Sequence, residues 1–174
     1  IALAGGLPPG LTELDLGENQ IGDEGVRALA GGLPPGLTKL NLGYNQIEAE
    51  GASALAAALP GSRITVLNLR LNGIGDEVAS ALAGGLRGSG LTELDLGDNQ
   101  IGAEGASALA EALRGSRITE LDLGENIIGD EGVRALTGGL PPGLTKLNLW
   151  DNQFGAEGAS ALAAVLPGYR ITAL

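Results

Sequence analysis

A chain of 174 residues, 44% hydrophobic and 18% charged, is long enough to bury a core of its own. Its net charge of -11 argues against nucleic acid or an anionic membrane as partner, because phosphates are held by clustered Lys and Arg. The absence of both cysteine and histidine excludes disulfides, thiolate nucleophiles, zinc ligands and the commonest general base together, and fits a reducing compartment such as the cytoplasm.

The sequence has no run of 18 apolar residues, no basic-then-apolar leader and no Asn-x-Ser/Thr sequon, so nothing in it argues for membrane insertion or secretion. One Trp, two Tyr and one Phe stand against 31 glycines, and such uniformity points to a repeated unit. In chain order, LTELDL opens a first unit at residue 11, LTKLNL a second at 37 and ITVLNL a third at 64. LTELDL follows at 91, ITELDL at 118 and LTKLNL at 144, and ITAL at 171 starts a seventh. The intervals are 26 or 27 residues. Residues 1–174 thus read as one array of six complete units with a partial unit at each end.

The first half of each unit has period two: in Leu14-Asp15-Leu16 or Leu94-Asp95-Leu96 the leucines face one way and the acids the other, which predicts a short strand. The second half has a period near four. Gly25, Leu29 and Leu33, or Gly105, Leu109 and Leu113, fall on one stripe and predict a short helix. It should open near Asp23 and Glu24, beside the positive end of its dipole, and stop in the breakers that run from Gly31 through Pro34 and Pro35 to Gly36. One such unit cannot bury its apolar face alone, and stacking supplies the missing partner.

The pattern L-x-x-L-x-L-x-x-N-x-I followed by E-G-x-x-x-L-x-x-x-L resembles the ribonuclease-inhibitor-like class of leucine-rich repeats over essentially the whole chain. Ribonuclease inhibitor, the Ran GTPase-activating proteins and the sensor arrays of NOD-like receptors carry similar repeats. The resemblance implies an α/β solenoid, a horseshoe with a parallel sheet on its concave face and short helices on its convex face, that binds proteins on the concave side. The units here are slightly shorter than is usual in that class, and the cysteines of ribonuclease inhibitor are missing.

Several columns are regular enough to be scaffold. Asn19, Asn45, Asn72, Asn99, Asn126 and Asn152 suit a buried carboxamide ladder. Glu24, Glu50, Glu77, Glu104, Glu131 and Glu157 suit a dipole or capping role. Thr12, Thr38, Thr65, Thr92, Thr119, Thr145 and Thr172 lack any base that would activate a nucleophile, so strand propensity and cross-strand packing explain them. Val78 breaks a glycine column and predicts a local packing change. No catalytic residue, metal ligand or cofactor site is expected, and the glycine-rich connectors lack the Gly-Lys-Ser/Thr order of a phosphate loop.

Function is therefore expected where the concave columns vary. Tyr44, Arg70 and Leu71 form one candidate patch, with Trp150 and Asp151 as a separate anchor about four strands away. Glu93, Asp95, Asp98, Glu120, Asp122 and Glu125 form a second candidate, an acidic surface in which Glu93 should lie beside Glu120 and Asp95 beside Asp122. Lys39 can relieve Glu13 and Lys146 can relieve Glu120, but no base in these columns is expected beside Asp95 or Asp122. The partner expected is a protein with a basic surface, or else calcium. Two other readings stay open: a GTPase-activating regulator like the Ran-directed family, and a structural spacer of a larger complex. The opening ALAGGLPPG reads as a helix tail and the closing ITAL as part of a strand, so a segment of a longer array or assembly is expected.

Overall fold

The computed structural model describes residues 6–173. Six three-residue strands alternate with six helices. The strands are β1 Glu13–Asp15, β2 Lys39–Asn41, β3 Val66–Asn68, β4 Glu93–Asp95, β5 Glu120–Asp122 and β6 Lys146–Asn148. The helices are α1 Gly22–Ala30, α2 Ala49–Ala58, α3 Asp76–Leu86, α4 Ala103–Leu113, α5 Gly129–Thr137 and α6 Ala156–Val165. All strands are parallel and pair in chain order, so each unit is one layer of a stack. This is the α/β solenoid that the repeat implies. Strands sit about 4.8 Å apart and packed helices about 8–10 Å apart, so the stack curves with its sheet on the inner face. Of the helix tail expected at residues 2–10, residues 2–5 lie outside the described residues and 6–10 is turn and coil. Ala173 makes a single parallel bridge to Lys146, and Leu174 also lies outside them.

One continuous core runs through the layers, built from the leucines and isoleucines that recur at each period. The strand centres Leu40, Leu67, Leu94, Leu121 and Leu147 are all buried, with Leu42, Leu69, Leu96, Leu123 and Leu149 behind them. Helix length follows proline. In α3 and α4 no proline is near and the helix runs 11 residues, keeping Leu86 and Leu113 inside it. In α1 and α5 the Pro-Pro pair enforces extended backbone just before it, the helix stops at Ala30 or Thr137, and Leu33 and Leu140 lie past its end. The expected stripe of Gly25, Leu29 and Leu33 therefore loses its last member to a turn.

The layers alternate between two kinds. Odd layers carry Asp23, Asp76 or Asp130 at the helix start, and even layers carry Ala49, Ala103 or Ala156. Each aspartate reaches forward to the next helix. Asp76 Oδ1 accepts the N–H groups of Gly102 and Gly105 at 2.7 and 2.8 Å, and Asp130 Oδ1 accepts those of Gly155 and Gly158. Asp23 Oδ1 accepts the Glu48 N–H at 2.8 Å. These bonds satisfy amides that the helix leaves free at its start. Odd layers also bring glycine against the preceding helix: a Cβ on Gly85 would overlap the backbone of Ala56, and one on Gly139 that of Ala110. Val78 stands where other layers have glycine: Ala49 replaces the aspartate of the layer before it, and α3 is capped by Gly75, whereas α1 and α5 are capped by Ile21 and Ile128, whose side chains a Cβ on Gly25 or Gly132 would overlap. A Cβ on Gly51 or Gly105 would press on Asp23 or Asp76.

Candidate functional site

The regular columns are used up by the scaffold. Asn72 shows the ladder in full: its amide donates to the carbonyls of Leu42, Leu69 and Arg70, and its oxygen accepts the N–H groups of Asn45 and Ile47. Asn45, Asn99, Asn126 and Asn152 are buried in the same manner, whereas Asn19 in the first layer is exposed. The hydroxyls of Thr38, Thr65, Thr92, Thr119, Thr145 and Thr172 each donate to the threonine carbonyl one layer back, at 3.0–3.3 Å. Glutamates at the helix starts make no side-chain cap. Two of them pair across layers instead, Glu50 with Arg27 and Glu157 with Arg134.

The fifth strand column carries a scaffold duty that sequence reading missed. Asp15, Asn41, Asn68, Asp95, Asp122 and Asn148 each accept the N–H two residues further on, at 2.8–3.0 Å. This short-range bond steers the chain off the strand. Immediately afterwards, Glu18, Tyr44, Leu71, Asp98, Glu125 and Asp151 all take left-handed backbone, with φ between 49° and 57°. Nothing in a column of Glu, Tyr, Leu and Asp announces that conformation.

On the inner face, a trough of about 550 Å³ lies over β3 to β6, lined among others by Asn68, Glu93, Asp95, Glu120, Asp122, Lys146 and Asn148. The sheet register sets Glu93 beside Glu120 and Asp95 beside Asp122. Lys146 meets Glu120 at 2.8 Å and Lys39 meets Glu13 at 2.9 Å. The hydrogen bond and charge of Glu120 raise the affinity of Lys146 for its proton, and Glu93 adds to it. Glu93 itself has no ion-pair partner among the described residues.

Arg70 adds a positive charge to this region without pairing with Asp95. Its side chain crosses Gly97, reaching Asp98 at 3.5 Å and, one layer further, Glu125. A Cβ on Gly97 would lie 2.8 Å from Arg70 Nη1, so the missing side chain is what lets the guanidinium pass. Asn148 relieves Asp122 by donating to both of its oxygens, at 3.0 and 3.1 Å. Asp95 is less well served. Desolvation pushes its carboxyl above the ordinary value of 3.8, the Gly97 N–H opposes that, the Asp122 charge adds to it, and Arg70 pulls it down again.

The remaining candidates lie on the rim. Tyr44, Leu71 and Trp150 are 59%, 41% and 65% exposed, and Asp151 is exposed beside Trp150. Ile127, 50% exposed, also belongs here and was not anticipated. It occupies a column that holds Gln20, Gln46, Gln100 and Gln153 in other layers, which is a signal the sequence did contain.

Chemically this surface offers carboxylates, a few apolar anchors and backbone edges. Among the described residues no group of three or more His, Cys, Asp or Glu side chains is placed to hold a metal ion. Among the described residues no helix is long and apolar enough to cross a membrane. Among solved structures, leiomodin-1 actin-binding site 2 is similar, with a TM-score of 0.62 and 21% identity over 82% of this chain and 86% of that one. An internalin from Listeria monocytogenes covers 95% of this chain and 54% of its own, at 22% identity and a TM-score of 0.47. No curated protein matches the sequence significantly. The leucine-rich repeat family matches at residues 10–30, 36–56, 64–83, 91–110, 118–136 and 143–163, most of the chain. The chain belongs to the leucine-rich repeat family.

Proposed function

We propose that this protein is an interaction module that binds a partner protein with a basic surface through the concave trough over β3 to β6. One observation carries the reading: four carboxylates, Glu93, Asp95, Glu120 and Asp122, line the trough against a single ammonium, Lys146. At ~5 Å a pair of like charges costs roughly 1 kcal/mol in water and about 3 kcal/mol at an effective dielectric of 20. A cationic side chain placed between β4 and β5 reverses that cost. Arg70 shows the same chemistry from within, satisfying Asp98 and Glu125 at the trough's edge. Of the rim residues, Trp150 and Asp151 are candidates for peripheral contact. A helix in every unit supports assignment to the ribonuclease-inhibitor-like class.

The test uses a fluorescent octapeptide of alternating lysine and serine, which spaces its charges on one face of an extended chain. Anisotropy should report binding that weakens as salt rises. It should also weaken at least about tenfold in the Glu93→Gln, Asp95→Asn, Asp122→Asn triple variant. An unchanged affinity in that variant rejects the trough as the binding surface.

A further inference from the structure

In an array this regular, the residues that depart from their columns are informative where they converge, and four of them converge on one hollow. Tyr44 and Leu71 stand in a column that is otherwise acidic. Glu48 stands in a column of glycines formed by Gly22, Gly75, Gly102, Gly129 and Gly155. Gly73 stands where four other layers have glutamine. Tyr44, Glu48, Leu71 and Gly73, with Gln46 and Asn72, line a hollow of about 430 Å³ beyond the ends of β2 and β3. It is separate from the concave trough, with which it shares no residue.

Stability does not account for these residues. The backbone imposes φ of 56° on Tyr44 and 57° on Leu71, a conformation that Asn or Gly adopts at least cost and bulky side chains resist. Both side chains are nonetheless exposed, so burial does not repay the strain. Glu48 is exposed too, and its carboxylate has no ion-pair partner among the described residues. Strain held at an exposed site is characteristic of ligand contacts.

We propose that this hollow receives one basic side chain, lysine or arginine, from a partner protein. The methylene stem lies against Leu71 and the Tyr44 ring, and the cationic head meets Glu48. Long basic side chains have this divided character, apolar along the stem and charged at the tip, and a tyrosine face adds attraction for the cation. Glycine at 73 leaves open the space that a glutamine would fill. Charge complementarity excludes an acidic side chain, and a purely apolar one would leave Glu48 unanswered beside it.

The test is amide chemical-shift mapping on the isotope-labelled full chain, titrated with acetyl-Leu-Lys-Leu-amide and acetyl-Leu-Arg-Leu-amide. The controls carry norleucine or glutamate in the middle position. The basic peptides should give saturable shifts at Tyr44, Gln46, Glu48, Leu71 and Gly73, with dissociation constants on the order of millimolar. Three variants each remove a different part of the site: Glu48→Gln its charge, Gly73→Gln its space, and Tyr44→Asn with Leu71→Asn its walls. Each should weaken binding by about fivefold or more, and the wall variant should also melt higher than the native protein. Folding is checked by the unchanged spectrum of β4 to β6. The proposal is overturned by any of three results: full affinity in all three variants, equal binding of the norleucine or glutamate peptide, or shifts confined to Glu93, Asp95 and Asp122. The last result would leave the trough standing without this site.

Discussion

Removal of the Asp76 carboxylate should damage a helix to which Asp76 does not belong. Asp76 opens α3, yet its Oδ1 accepts the Gly102 and Gly105 N–H groups of the next layer. Gly102 is the N-cap of α4 and has no side chain with which to cap itself. Loss of an N-cap acceptor costs about 0.5–2 kcal/mol, and loss of a negative charge at a helix start about 0.3–1 kcal/mol more. Asp76→Ala forfeits both, so roughly 1–3 kcal/mol. Asp76→Asn keeps the acceptor oxygen and forfeits only the charge, about 0.3–1 kcal/mol. With a shift of about 2–4 °C per kcal/mol for a chain of this size, the alanine variant should melt about 2–12 °C lower and the asparagine variant no more than about 4 °C lower. Hydrogen exchange then locates the effect: the amides of Gly102 and Gly105 should lose protection first, ahead of those in α3 itself. If both variants melt with the native protein, or if the lost protection centres on α3, the cap between layers is not what holds α4.

Adjacent glycines in α3 should respond oppositely to alanine: a Cβ at Gly84 meets nothing within 4 Å while one at Gly85 overlaps the Ala56 backbone. Gly84→Ala should stabilise by about 1 kcal/mol through helix propensity and Gly85→Ala should destabilise by about 1–3 kcal/mol through overpacking, as read by urea denaturation. The Asp95 carboxyl, raised above its unfolded value near 3.8 mainly by desolvation, binds its proton more tightly folded than unfolded. Its contribution to stability therefore improves as pH falls through the folded value towards 3.8 and is unfavourable at neutral pH. Asp95→Asn should stabilise at pH 7 by up to about 1 kcal/mol, the scale of a like-charge cross-strand pair. That advantage should shrink in acid, and a difference from the native protein that is flat with pH would contradict the assignment.

What the sequence disclosed and what it hid divide by range. The Leu-x-Leu spacing determines which residues point inward, and a parallel stack with one unit per layer then aligns Glu93 with Glu120 and Asp95 with Asp122 without further information. The asparagine ladder was legible for the same reason, since one residue type recurring at one place has one environment. Contacts that leave their column were not legible. Arg70 reaches Glu125 across 55 positions because a long side chain meets a gap at Gly97, and both the reach and the gap are facts of three dimensions. Asp23 was read as serving its own helix dipole, since nothing local reveals that its oxygen faces the start of α2. The left-handed column was hidden by its own residue types, for Tyr44 and Leu71 argue against the backbone they adopt. Glu48 and Ile127 belong to a different class: each interrupts a column plainly, and comparing units for their exceptions rather than their consensus finds both.

Because forward-reaching aspartates and close-packing glycines occur in alternate layers only, the heritable module of this protein is the pair. Excision of the fourth unit would set the Asp76 layer directly against the Asp130 layer, and Asp76 would then face the start of α5, whose N-cap is Ile128 rather than the glycine that caps α4. Excision of the fourth and fifth units together would let Asp76 reach the glycines at the start of α6 as it now reaches those of α4. Lineages of such arrays should accordingly lengthen and shorten by even steps. The nearly repeated stretch that begins at residue 18 and again at 125, four layers later, respects that parity.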